Sequence, residues 1–386
     1  MRGTSTCDAS DPTSLRVLVL HQGWPVALYL VAELARLGVR PVLAGSAEHP
    51  LLRRYAREQV HAEYKTADGR ARLAQLLAAS PWDAVVATTD EWLAAVLAAG
   101  VLDTRLVWPR LDPLFAPALS DRRAMDALVR ELGVAVPARR DADEHNLDKA
   151  LAELGTPCIV RGTAGAGGAQ VRTAGTLAEV RAALNELASV SPGAPYLQAF
   201  VPGPTVLVGG LYADGRCLQS YAAEKTAVHP PPFGPSVCVR SIDAPAAVAL
   251  ADRIFGRLRF HGVGFVEFKL PPGREPVFIE LNPRPWGSAR ATRAAGVDIL
   301  AQAARQIVGM DPVPARVCRA GREAALFPQY LDAVIERGEL KRGDLAPLLR
   351  ALRAIPWREP RLALHFCRQL YWGHAAQKRR RAAAGV

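Results

Sequence analysis

Two glutamates sit inside apolar strand sequence: Glu267 in Phe265-Val-Glu-Phe-Lys-Leu270 and Glu280 in Val277-Phe-Ile-Glu-Leu-Asn-Pro-Arg284. A carboxylate buried in a strand is costly unless a charge or a metal ion pairs with it. Pro271-Pro-Gly-Arg274 between the two runs is a turn, so they fold back as neighbouring antiparallel strands. Side chains two apart on a strand share a face, which puts Asn282 and Arg284 beside Glu280. Two carboxylates and an amide oxygen are hard ligands, the set that Mg²⁺ takes when phosphate completes its shell. A guanidinium at 284 adds a fork for phosphate or carboxylate.

A second group lies upstream. Cys158-Ile-Val-Arg161 reads as a strand feeding Gly162-Thr-Ala-Gly165-Ala-Gly167-Gly168. Backbone amides of Gly165, Gly167 and Gly168, without side chains, can close over phosphates, and Arg161 supplies a fixed positive charge beside them.

These groups need a scaffold, and the chain supplies one. Arg16–Leu20 and Val39–Leu43 read as buried strands around a helix at Val26–Leu37 that ends at Gly38. The unit recurs as a strand at Asp83–Ala87, a turn and cap at Thr88-Thr89-Asp90, and a helix at Glu91–Ala99. This alternation predicts a parallel, doubly wound α/β sheet over about residues 14–112. The first turn holds a single glycine, Gly23, so the GxGxxG dinucleotide fingerprint is absent. After the Pro-rich joint at Leu111–Pro117, an α+β region begins with a helix capped by Ser120-Asp121 and closed at Gly133. A hairpin through Asp214-Gly215 and a helix at about Pro245–Leu258 precede the two glutamate strands.

Composition narrows the function classes. The chain has 386 residues, 50% hydrophobic and 22% charged, which is globular and suits two or three domains. Of the net charge of +11, residues 316–386 hold +9, with fifteen Lys/Arg against six Asp/Glu. The basicity is local, so no nucleic-acid role is expected for the whole chain. Six scattered cysteines without a CxxC pair exclude the usual zinc spacings and fit reduced thiols in the cytoplasm. Residues 1–14 are polar, lack the apolar core of a secretory signal, and are expected to be disordered. The longest uncharged stretch, Ala188–Ala213, is broken by four prolines and cannot form a spanning helix.

The order Ser120-Asp-Arg, Ile159-Val-Arg161, the glycine loop, Tyr196-Leu-Gln-Ala-Phe-Val-Pro-Gly203, Phe265-Val-Glu-Phe-Lys269 and Phe278-Ile-Glu-Leu-Asn-Pro-Arg-Pro-Trp-Gly-Ser288 resembles the ATP-grasp superfamily. Its carboxylate–amine ligases and carbamoyl-phosphate-synthase-like members are the nearest in pattern, over about residues 15–310. The resemblance implies a preceding α/β domain at 15–118, an ATP-grasp domain at 119–311 and a basic helical segment at 312–386. It implies ATP and Mg²⁺ as cofactors, with Mn²⁺ as a substitute, and Glu267, Glu280 and Asn282 as metal ligands. Arg161 matches a phosphate-contacting lysine, Arg122 the nucleotide-binding lysine of a Ser-Asp-Lys helix start, and Gly165–Gly168 the mobile flap over the triphosphate. Gln198, Ala199, Phe200 and Val201 match the hinge that reads adenine, and Thr205 the ribose position. Lys225, Arg240 and Arg284 match groups that meet the γ-phosphate or the acylphosphate. Lys269 falls beside the metals or in an ion pair with Glu267. The chain departs from the family at both lysines, now arginines, at Ala199 where a hinge glutamate is frequent, and at Thr205 where an acid is frequent.

The function so implied is activation of a carboxylate as an acylphosphate, then displacement of phosphate by an amine. Two alternatives stay open: a carboxyphosphate or carbamoyl-phosphate type synthase, and a nucleotide-binding relative without turnover. His229, in Val228–Ser236, is a candidate base. In the C-terminal segment, Leu345–Ile355 and Leu362–Trp372 are amphipathic at helical spacing and Lys378-Arg-Arg-Arg381 follows. They read as packed helices with a solvated tail, or as a peripheral contact with a membrane or an acidic partner.

Overall fold

The computed structural model describes residues 12–46, 50–142, 144–163, 168–191 and 193–383. The first layer is the expected parallel sheet. It comprises β1 (Val17–Leu20), β2 (Val42–Gly45), β3 (Glu58–His61), β4 (Ala84–Ala87) and β5 (Val107–Trp108) in the order β3-β2-β1-β4-β5. Helices α1 (Pro25–Arg36), α2 (Ala67–Ala78) and α3 (Asp90–Ala99) cross between its strands. The strand expected at 39–43 is displaced to 42–45, because Gly38 (φ +86°) turns the chain first and Pro41 delays entry into the ladder.

Helices α4 (Ala116–Ser120) and α5 (Arg122–Glu131) follow the joint, and Asp121 caps α5 by accepting from the Arg123 N–H. A small antiparallel sheet comes next: β6 (Arg139–Asp141), β7 (Cys158–Arg161), β8 (Val171–Ala174) and β9 (Tyr196–Ala199), ordered β6-β9-β7-β8. With α6 (Leu147–Leu154) and α7 (Leu177–Ala188), it closes a separate core of Leu147, Val160, Val180, Leu187 and Leu197.

The largest sheet is built from β10 (Thr205–Ala213), β11 (Arg216–Val228), β12 (Ser236–Ser241), β13 (Gly262–Lys269), β14 (Val277–Asn282) and β15 (Glu323–Ala325), ordered β14-β13-β10-β11-β12-β15. The β10–β11 turn is the expected Asp214-Gly215 pair, both at positive φ. On one face α8 (Pro245–Arg257) packs Ala251, Ile254 and Phe255 against Val206, Val208 and Phe268. On the other, α9 (Ile299–Ile307) and Trp286 meet Leu207, Tyr221 and Phe265. Gly209 is required there, since a Cβ would lie 2.5 Å from the Trp286 ring. The same two apolar clusters run into the parallel sheet, so the first and third layers share both. Residues 312–386 are not solely helical. β15 extends the large sheet before α10 (Gln329–Arg337), α11 (Leu345–Arg353) and α12 (Pro360–Ala383).

Candidate active site

The β13–β14 ladder sets the centre. Glu267 is the register partner of Glu280, and Phe265 of Asn282, so both carboxylates and the amide lie on one face. Each is claimed by a different cation. Glu267 pairs with Lys225, carried on the same face by β11. Glu280 Oε2 accepts from Arg161 Nη2 at 3.0 Å and from Arg122 Nη1 at 3.3 Å, while Asn282 Nδ2 donates to its Oε1 at 3.2 Å. Asn282 Oδ1 accepts from Arg284 Nη2 at 2.9 Å, and Arg284 Nε donates to Asp90 Oδ2 at 3.0 Å. The Arg284 guanidinium also lies over Trp24 and Phe265.

The local folding explains the aim of each group. The Asp121 cap starts α5 at Arg122 and turns its side chain toward β14. Arg161 ends β7 opposite Tyr196, and Arg139 from β6 lies 3.5 Å over that ring. Thr89 caps α3 and so fixes Asp90 at its first turn, facing β14.

Electrostatics separate the two glutamates. Burial raises the Glu267 carboxyl above its ordinary value, with Lys225 opposing and Glu280 adding to the rise. Burial also disfavours the Glu280 carboxylate, but Arg122 and Arg161 outweigh it and hold the group at about 2. Arg161 is depressed by its burial and by Arg122 nearby, and its Nε has no hydrogen-bond partner among the described residues.

Glu280, Asn282, Arg122 and Arg161 open onto a cavity of about 450 Å³ walled by all three layers: Tyr64, Asp90 and Glu91 from the first, Arg161, Thr163, Tyr196 and Gln198 from the second, and Phe278 to Asn282 from the third. Among the described residues no group of three or more His, Cys, Asp or Glu is placed to hold a metal ion by itself. The donor set is instead two carboxylates and one amide oxygen, now neutralised by side-chain cations. That set fits Mg²⁺, which is commonly held by one or two carboxylates with water and phosphate completing the octahedron.

The remaining sequence candidates are placed as follows. Gly165 and Gly167 lie outside the described residues. Gly168 has φ +74° and packs on Phe233 of the β11–β12 loop, where a Cβ would come within 2.1 Å of the Phe233 carbonyl oxygen. Gln198 is buried in the cavity wall, and the Ala199 N–H is spent on the Ala138 carbonyl at 2.8 Å. Phe200 is exposed, Val201 half-buried, and Thr205 opens β10. Lys269 donates to the Gly203 carbonyl at 3.0 Å and is not ion-paired with Glu267 among the described residues. Arg240 stands apart: its register partner is Glu224, which it meets at 2.6 Å on the face opposite Glu267. His229 pairs with Glu336 of α10 beside a different cavity, of about 570 Å³.

Asp90, Arg139 and Tyr196 are site residues that the sequence reading assigned no role. Asp90 carried only a capping signal, and nothing local ties it to Arg284, 194 residues away.

Neither a protein-family model nor a curated protein sequence matches the chain. Solved structures do. The N5-carboxyaminoimidazole synthetase of Staphylococcus aureus complexed with ADP superposes with a TM-score of 0.67 at 14% identity, covering 84% of this chain and 85% of that one. The carboxyaminoimidazole ribonucleotide synthase of Aspergillus clavatus complexed with ATP gives 0.66 at 17% identity, with 81% of each chain covered. The phosphoribosylglycinamide synthetase of Anaerococcus prevotii gives 0.58 at 17% identity, covering 77% and 76%. The chain shares the ATP-grasp fold with these synthetases.

Proposed function

We propose that the protein is an ATP- and Mg²⁺-dependent ligase that activates a carboxylate as an acylphosphate and joins it to an amine, releasing ADP and phosphate. One observation carries the reading: Glu267, Glu280 and Asn282 share one face of β13–β14, and Glu280 and Asn282 line, with Arg122 and Arg161, a cavity walled by all three layers.

Glu267, Glu280 and Asn282 would hold Mg²⁺, which would supply charge neutralisation for the phosphates. The chain's own groups do the rest. Arg122 and Arg161 exchange part of their hold on Glu280 for phosphate oxygens. The substrate carboxylate attacks the γ-phosphorus, the bond to the ADP oxygen breaks, and ADP leaves. Lys225 and Arg284 stabilise the charge on the transferring group and the acylphosphate. The amine nitrogen then attacks the carbonyl carbon to form the C–N bond, phosphate departs with the C–O bond electrons, and the nitrogen's proton passes to water. The flap, anchored at Gly168 against Phe233, keeps water from the acylphosphate.

A second reading, with bicarbonate as the activated carboxylate, is favoured by the fold likeness to synthetases named for a carboxylated amine. The test is ADP release with Mg²⁺-ATP against pooled amino acids, small carboxylates and amines, with bicarbonate run separately. Release that needs one carboxylate and one amine supports the ligase, and release that needs bicarbonate supports the second reading. Nucleotide binding with no release in any pool supports a non-catalytic relative. We extend the reading to location: a cytoplasmic enzyme, supported by five described cysteines that are all free, with its basic C-terminal face lying on a membrane. No described helix is long and apolar enough to cross one.

A further inference from the structure

The C-terminal helices leave an apolar surface uncovered. On α11, Ala351 is fully buried against the large sheet, while Leu345, Leu349 and Leu352 share the opposite side at 56%, 55% and 39% exposure. The spacing of i, i+4 and i+7 makes them one stripe. Trp357 follows at 69% exposure. On α12, Leu362 and Phe366 are buried and the Phe366 ring packs on Tyr29, while Leu364, Tyr371 and Trp372 face outward. Arg361 and Arg368 flank Leu364 at helical spacing, and Arg353 and Arg358 precede it, all four exposed.

The charge of this region has one sign. Residues 341–381 hold eleven Lys/Arg and two Asp/Glu. Both acids are engaged inward. Asp344 accepts from the Tyr330 hydroxyl at 2.8 Å and pairs with Arg337, and Glu359 accepts from Tyr55 at 2.5 Å and from Arg36 at 3.2 Å. Neither offsets the outward arginines.

We propose that α11, Trp357 and α12 form a docking face for an anionic lipid surface. Leucines and indoles at the acyl boundary, with arginines reaching the headgroups, use both halves of this face. A nucleic acid would use the charge and leave the leucine stripe wet. The docking does not depend on the ligase reading, and its test does not use activity.

The full chain is sedimented with phosphatidylcholine vesicles with and without phosphatidylglycerol, at low and high salt. Binding that requires phosphatidylglycerol, weakens with salt and blue-shifts tryptophan emission is expected. Replacing Arg353, Arg358, Arg361 and Arg368 together by Gln weakens partitioning about fivefold per charge. The Leu349→Ser/Trp357→Ser variant, with its fold checked by circular dichroism, loses most of the blue shift. Three outcomes overturn the proposal: no binding to the anionic vesicles, binding unchanged in both variants, or soluble polyglutamate bound as tightly as vesicles with no shift in emission.

Discussion

Glu267 and Glu280 face one another across β13 and β14 yet answer to different cations, Lys225 for the first and Arg122 with Arg161 for the second. The pairings push their proton affinities apart, Glu267 upward and Glu280 to about 2. Two like carboxylates can thus sit on one buried face while no metal is bound. In the proposed function, nucleotide phosphates would take Arg122 and Arg161 from Glu280.

Glu280→Gln is the sharpest test of that arrangement. It leaves Arg122 and Arg161 without their shared counter-charge, so folding stability falls by about 1–3 kcal/mol in urea titration. ADP release falls at least about 100-fold. Activity near wild type would sink the metal assignment.

The raised Glu267 carboxyl sets a pH dependence for metal binding. Proton and Mg²⁺ compete for the same oxygens, so Mg²⁺ affinity measured calorimetrically on the nucleotide-free protein falls as pH drops through the Glu267 value, above the ordinary 4.5. Lys225→Met removes the competing ammonium, and tighter Mg²⁺ binding at neutral pH is expected. Weaker binding in that variant would show that Lys225 supports the site rather than competing for it.

Arg284 and Asp90 join the first layer to the third through a largely buried pair. Breaking it with Asp90→Asn strands a guanidinium that is nine-tenths buried, at a cost of about 2–4 kcal/mol. A double-mutant cycle with Arg284→Met is expected to return a coupling of about 1–3 kcal/mol. Additive effects would mean that the pair does not link the layers.

Gly168 packs on the β11–β12 loop. An alanine there must adopt φ +74° and push its Cβ against the Phe233 backbone, costing this packing about 1–2 kcal/mol. The expected result is a roughly tenfold higher KM for ATP with thermal stability little changed. A wild-type KM would show that the contact is absent from the working enzyme.

Much of the centre was legible because it rests on short-range periodicity. The two-residue strand repeat puts 280, 282 and 284 together, and a four-residue turn pairs their strand with that of Glu267. What stayed hidden depends on long-range pairing or weak local signal. Glu58–His61 and Arg139–Asp141 are polar edge strands without apolar alternation, and Glu323–Ala325 is only three residues long. Glu58–His61 pairs with the preceding strand β2, and the other two are held by partners far away in sequence. Arg240 shows the cost of missing β12: once that strand pairs with β11, parity turns Arg240 to the opposite face with Glu224.

His261 sits where the joint between the first two layers meets β13, exchanging both backbone hydrogen bonds with Arg110. Burial, then the Arg110 charge, lowers its proton affinity below the ordinary 6.5, and Asp214 at 3.4 Å only partly compensates. The unfolded chain therefore binds the proton more readily than the folded one. The stability contribution of neutral His261 is fully present above pH 6.5 and is lost as pH falls through the depressed folded value. Urea denaturation from pH 8 to 5 is expected to show this decline, and His261→Asn to flatten it. The difference between the two proteins isolates the histidine, since the carboxylates titrate alike in both. Identical slopes would mean that the folded and unfolded chains bind the His261 proton equally well, with Asp214 fully offsetting burial and the Arg110 charge.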